Sequence, residues 1–413
     1  MKKYIKMSLI FMLILSLSMI TSCQKKDSYN KTEFYRGNIT IVTDGFHESQ
    51  IKLAADEFKK SHKYADLNIR TDNNFESTMN NYDIISVSDE NVKYIIDKYK
   101  GNILDLTSSL SDYRNNIISN KLYNGIYKGK VYAVPWESIP RLIVYRKDIF
   151  KSRGINAMDI KTWQDYINIG KKLSKETGKY FTGNDLSTND LNLMLANQLG
   201  TSYFNDSGKL DFESERWSRI LGIQKQIYSQ NTIINFGSEK EVIDAAVGGN
   251  ILAFIASPYS VRDLMNAMPE SKNMWGVMDL PAFEPGGNTS VSLGGMNFIV
   301  NKNSKNARLA SAFIKFILMD DKLQLELLDK YGRIPVYRES YYFKDVNKSV
   351  EYFDDKIWTH FINSQQRASN IEYTKYFPEV KDKLGSILNS NNIKNKDTKT
   401  IVSYIGKILE KSP

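Results

Sequence analysis

The β-branched run Asn38–Asp44 (NITIVTD) gives way to Glu48–His62 (ESQIKLAADEFKKSH), in which Ile51, Ala54, Ala55 and Phe58 fall at helical spacing. Basic residues close that helix where its dipole favours them. Asp66–Arg70 (DLNIR) and Tyr82–Val87 (YDIISV) then read as strands, and Glu90–Gly101 as another helix. Strands alternating with helices predict a parallel sheet of α/β type. The grammar resumes at Thr162, a good N-cap for the helix Trp163–Gly178, which stacks Trp163, Tyr166, Gly170 and Leu173 on one face before Gly178 ends it. A second sheet-and-helix unit is expected there. Asn306–Gly332 places Ala310, Phe313, Ile314 and Ile317 at helical spacing, with Gly332 as its stop.

The 413 residues contain one cysteine, Cys23, which cannot form an internal disulfide. Lys2, Lys3 and Lys6 precede an apolar stretch, Met7–Ile20, that is shorter than the ~20 residues a membrane-spanning helix needs. This is the layout of a secretory signal over residues 1–22. Ile20-Thr21-Ser22-Cys23 resembles the lipobox of bacterial lipoproteins, which implies that Cys23 is acylated and anchors an exported protein to the outer face of a bacterial membrane. Residues 23–37 read as a flexible tether, and the folded part is expected to begin near Asn38.

The formal charge of +9 is spread along the chain without a Lys/Arg block, so nucleic acid is not expected as a partner. His47, His62 and His360 are scattered with no metal-ligand spacing, and no metal site or cofactor is expected. Neither a phosphate-binding Gly-x-x-x-x-Gly-Lys-Ser/Thr loop nor a Gly-x-Ser-x-Gly elbow occurs. With no enzyme signature found, the chain is not expected to be an enzyme.

Gly129-Lys130-Val131-Tyr132, Val134-Pro135, Tyr145-Arg146-Lys147-Asp148 and Thr162-Trp163 follow one another in an order that resembles the extracellular sugar-binding proteins of ABC importers, the maltose-binding protein group. Further matches are YDIISVSDE, AAVGGNILAFIASPY, LPAFEPGG and YGRIPV. Tyr82, Asn250 and Ser257-Pro258-Tyr259 depart from the family pattern, which leaves the solute open. The resemblance implies a fold of two α/β lobes joined by three crossings. Residues 38–136 and 286–334 would form lobe I, and residues 137–285 and 335–413 lobe II. It further implies a monomer that captures a carbohydrate between the lobes and delivers it to ABC permease subunits. A polyamine or phosphorylated polyol binder is the alternative, with a lipid-anchored glycan hydrolase behind it.

Ligands of open α/β sheets gather at the carboxyl ends of strands. That rule selects Asp44, Phe46, Ser88, Asp89, Trp136, Glu137, Tyr259, Gly294 and Gly295. Carboxylates accept sugar hydroxyls, aromatic faces cover pyranose C–H bonds, and glycine lets backbone amides approach. In the resemblance, Tyr259 takes the place of a sugar-stacking tryptophan, and Tyr259→Trp is expected to keep binding. Each residue also has a plain structural reading. Asp44 can form a turn, Trp136 and Trp163 can be core, Gly294-Gly295 can merely bend the chain, and Tyr259 can be a core ring.

Overall fold

A computed structural model describes residues 34–187 and 190–409. The signal sequence and Cys23 lie outside the described residues. In chain order the main elements begin with β1 (Arg36–Thr43), α1 (Glu48–Ser61), β2 (Tyr64–Thr71), β3 (Ile84–Ser88) and α2 (Asp89–Tyr99). Next come β4 (Ala133–Pro135), β5 (Pro140–Arg146), α3 (Trp163–Thr177), β6 (Tyr180–Asp185) and β7 (Ile233–Phe236). These lead to α4 (Glu239–Val247), β8 (Ile251–Ala256), α5 (Pro258–Ala267), β9 (Trp275–Met278) and β10 (Val291–Ser292). The chain then forms β11 (Met296–Val300), α6 (Ala307–Met319), α7 (Asp321–Tyr331), α8 (Ile357–Arg367) and α9 (Phe377–Gly385).

Two sheets organise the molecule. The first has the order β2-β1-β3-β11-β4 and the second β9-β5-β8-β6-β7, with β10 paired to β5. The expected parallel pairing holds among β2, β1 and β3, and among β8, β6 and β7. It fails at β11, which is antiparallel to β3 and β4, and at β5, which is antiparallel to β8, β9 and β10. Both exceptions sit next to a crossing, where the chain enters a sheet from the other lobe and is not set by a preceding strand and helix.

The first crossing runs from β4 to β5 through residues 136–139. The second was expected near Pro285, yet Val291 and Ser292 still pair with Arg141 and Pro140 of the second sheet. The chain changes sheets only between Ser292 and Met296. A third segment follows α7, where Ile334 bridges Ser138 beside the first crossing, and α8 then packs on β5 and β10.

Local chemistry explains the helix ends. Thr162 and Asp165 form a reciprocal capping box, and Gly178 ends α3 with φ +70°. The apolar periodicity of Asn306–Gly332 suggested one continuous helix. The structure breaks it at Asp320, whose carboxylate caps the start of α7 by accepting from the Leu323 amide at 3.0 Å. Trp163 is fully buried and its indole donates to Gln198, so it is core.

Candidate functional site

The turn after β1 and the first crossing meet at one buried imidazole. His47 Nδ1 lies 2.9 and 2.8 Å from the two Asp44 carboxylate oxygens, and Nε2 lies 3.1 Å from Glu137 Oε1. With a carboxylate on each nitrogen, both nitrogens carry protons and the ring is an imidazolium. Burial opposes that charge, but Glu137 and Asp44 outweigh it and push His47 up to about 10. Burial likewise opposes the charge on Glu137, which is held below its ordinary value by His47, Tyr259 and Arg333.

Tyr259 reaches the same carboxylate from α5, its hydroxyl donating to Glu137 Oε1. Tyr259 is 9% exposed, and its ring packs edge-on against Phe46, with centroids 5.0 Å apart. Phe46 itself is 58% exposed. Trp136 is fully buried, stacked on Phe298 and hydrogen-bonded through Nε1 to Ser86 Oγ, so its indole belongs to the core beside the crossing.

A second cluster lies next to the first. Asp89, with no exposed surface, accepts from the Lys121 ammonium and from Asn297 Nδ2 at 2.7 Å. Lys121 also donates to the Gly294 carbonyl. Gly294 and Gly295 have φ of +76° and +130°. A Cβ on Gly295 would stand 2.5 Å from the Glu137 carbonyl oxygen, so only glycine lets the first and second crossings pass this closely. The Ser88 hydroxyl joins neither cluster and accepts from Asn91 Nδ2 at 2.9 Å.

The structure thus brings Asp44, Phe46, Trp136, Glu137 and Tyr259 into one cluster, and Asp89, Gly294 and Gly295 into the other. Sequence reasoning missed His47, Gln50, Lys121, Arg333 and the buried Arg141, whose guanidinium donates to the Ile139 carbonyl at 2.9 Å and which burial pushes down to about 10 against the opposing charges of Glu239 and Asp185. Asp185 ends the parallel strand β6, so the strand-end rule could have found it. Two surface grooves, one around Leu325 and Trp358 and one around Asp190 and Tyr228, are lined by none of these residues. Among the described residues no cluster of His, Cys, Asp or Glu is arranged to hold a metal ion, and no helix is long and apolar enough to cross a membrane.

The imidazole and its carboxylates set a pH dependence. His47 contributes stability in full below its ordinary value of 6.5 and loses that contribution as pH rises toward about 10. Glu137 and Asp44, both held low, contribute above the ordinary carboxylate range and lose it as pH falls. The melting temperature should therefore peak in mildly acidic solution, and His47→Gln should flatten the alkaline decline. Superimposable alkaline limbs for parent and variant would refute this assignment.

Comparison with known proteins gives the same fold. The model of the bacterial extracellular solute-binding protein family matches residues 52–322. An arabinooligosaccharide-binding protein of Bacillus subtilis is 26% identical over 377 residues, covering 86% of each chain. A lactose-binding protein of Rhizobium radiobacter is 23% identical over 261 residues, 61% of this chain and 58% of that one. Among solved structures, the sugar-binding protein MalE from Xanthomonas citri aligns with a TM-score of 0.76 at 15% identity, covering 91% of this chain and 98% of that one. Maltose-bound MalE3 of T. maritima aligns at 0.73 and 17% identity, covering 90% and 99%. Two sheet-bearing lobes, strand ends converging on the crossings and a family match over more than half the chain lead to one statement: the chain belongs to the bacterial extracellular solute-binding protein family.

Proposed function

We propose that the protein captures an uncharged carbohydrate between its lobes and presents it, unchanged, to the permease of an ABC importer. The observation that carries this reading is charge balance. His47 lies between Asp44 and Glu137 with the buried Arg333 guanidinium acting on Glu137 through space, and Asp89 is paired with Lys121. A polyamine site needs uncompensated carboxylates, and a phosphate site needs uncompensated guanidinium groups. Neither excess is present in these two clusters, whereas paired charges still offer strong hydrogen bonds to sugar hydroxyls. The named ligands of the relatives, arabino-oligosaccharides and lactose, support the same class.

The site reading assigns Asp44, Phe46, Asp89, Glu137, Tyr259, Gly294 and Gly295 to the solute-facing region, with Ser88 and Trp136 in supporting roles. Anchoring through an acylated Cys23 and a monomeric state complete the proposal, the anchor being checked by mass spectrometry of the native N-terminus. A thermal-shift screen of arabino-oligosaccharides, lactose, maltose, spermidine and sugar phosphates tests the solute class. A solute at 100 times its dissociation constant should add about 2.7 kcal/mol of stability. Stabilisation by neutral sugars is the expected result, and stabilisation by spermidine or sugar phosphates alone would refute it.

A further inference from the structure

Tyr259 belongs to α5 of the second lobe, yet its polar and aromatic contacts reach outside that lobe. Its hydroxyl is on Glu137 of the first crossing, Gln50 Nε2 of α1 approaches that hydroxyl at 3.5 Å, and Phe46 meets its ring at 84°. The ring is not free to wander. Pro258 and the Ser257/Ser260 capping box fix the start of α5, so Tyr259 is carried by a rigid helix end.

Glu137, the acceptor, is equally fixed. His47 of lobe I holds Oε1 from one side. The third crossing closes from the other side. Gly332 has φ +74°, and a Cβ there would stand 2.5 Å from the Pro258 carbonyl oxygen. The next residue, Arg333, is buried over the Trp136 ring at 5.3 Å and donates from Nη1 to the Trp136 carbonyl at 2.6 Å. His47 from lobe I and Tyr259 from α5 therefore meet at one carboxylate of the first crossing, and the third crossing holds the backbone beside it through Arg333.

We propose that this cluster is an interlobe latch, in which Tyr259 strikes a Glu137 held by the positioning residues His47 and Arg333, so that closing is stabilised by the chain's own side chains as well as by solute. Hinge opening that carries α5 away from α1 must break the contacts to Phe46 and Gln50 and strain the hydroxyl bond to Glu137. The latch itself has a built-in reason to exchange partners. Glu137 Oε2, Gln50 Oε1 and Arg333 Nε and Nη2 are buried without hydrogen-bond partners when the latch is shut, and groups in that state favour anything that pairs them. Sugar hydroxyls, which both donate and accept, suit that mixture of donors and acceptors. A solute would then trade with the latch and not merely add to it.

The latch rests on the two lobes closing about a solute, as proposed above, but its test needs none. Small-angle scattering is recorded on the full chain without added solute, for the parent, Tyr259→Phe and His47→Gln. Tyr259→Phe removes one oxygen and keeps the ring, and circular dichroism confirms that each variant is folded. The latch predicts that the parent scatters as the closed arrangement and that both folded variants shift to a larger radius of gyration. Parent and variants scattering alike, whether all compact or all expanded, would overturn it. That failure would leave the carbohydrate reading standing, because the solute screen decides that reading separately.

Discussion

Lys121→Met should destabilise the fold by about 3 to 5 kcal/mol, the cost of removing one partner from a buried ion pair. Asp89 has no exposed surface, and its two oxygens are held by Lys121 and Asn297. Methionine fills nearly the same space and removes the charge, so packing is kept while the carboxylate loses its counterion. The loss reaches beyond the pair, because Lys121 also donates to the Gly294 carbonyl at the second crossing. Urea unfolding at unchanged m-value measures the cost. The double variant Lys121→Met/Asp89→Asn should recover part of it, since no uncompensated charge is then buried. A single variant within about 0.5 kcal/mol of the parent, the scatter of ordinary surface changes, would show that Asp89 is solvated in solution.

Tyr259→Ala should lose both stability and solute. Truncating a buried aromatic side chain to alanine costs about 3 to 5 kcal/mol. Loss of an aromatic contact to a sugar adds about 0.5 to 1.5 kcal/mol beyond area burial, which with the apolar term weakens binding on the order of tenfold or more. The structure changes the outcome expected for tryptophan. With Tyr259 9% exposed and its hydroxyl on Glu137, the larger indole must displace its neighbours and forfeits that hydrogen bond. Tyr259→Trp should therefore also bind more weakly than the parent. Melting curves beside calorimetric titrations separate the two losses. A folded alanine variant with parental affinity would remove Tyr259 from the solute site and leave it a core residue.

The strands and helices around β1, β3 and α3 were legible because each is set by local pattern: β-branched runs, 3.6-residue spacing, Thr162 before and Gly178 after. The break at Asp320 was not legible, because the apolar periodicity runs straight through it and only the capping hydrogen bond ends the turn. Strand direction at β11 and the late second crossing depend on partners far along the chain, and no local pattern encodes them.

The candidate site divides the same way. Asp44, Phe46, Glu137 and Tyr259 follow strands, and that position alone brought them to notice. Lys121 compensates Asp89 from 32 residues away and Arg333 donates to the Trp136 carbonyl from 197 residues away, so spacing gives no hint of either. His47 was passed over as a scattered histidine because a metal pattern was sought, whereas its chemistry is that of a cation between two carboxylates.

Isothermal titration of the purified protein with the neutral oligosaccharides that stabilise it, followed by chromatography of the recovered solute, decides whether this is a non-catalytic carbohydrate binder. Saturable binding at one site, with the sugar recovered intact, is expected. Cleaved sugar on recovery, or saturable binding of spermidine or a sugar phosphate with none of any neutral sugar, would contradict it.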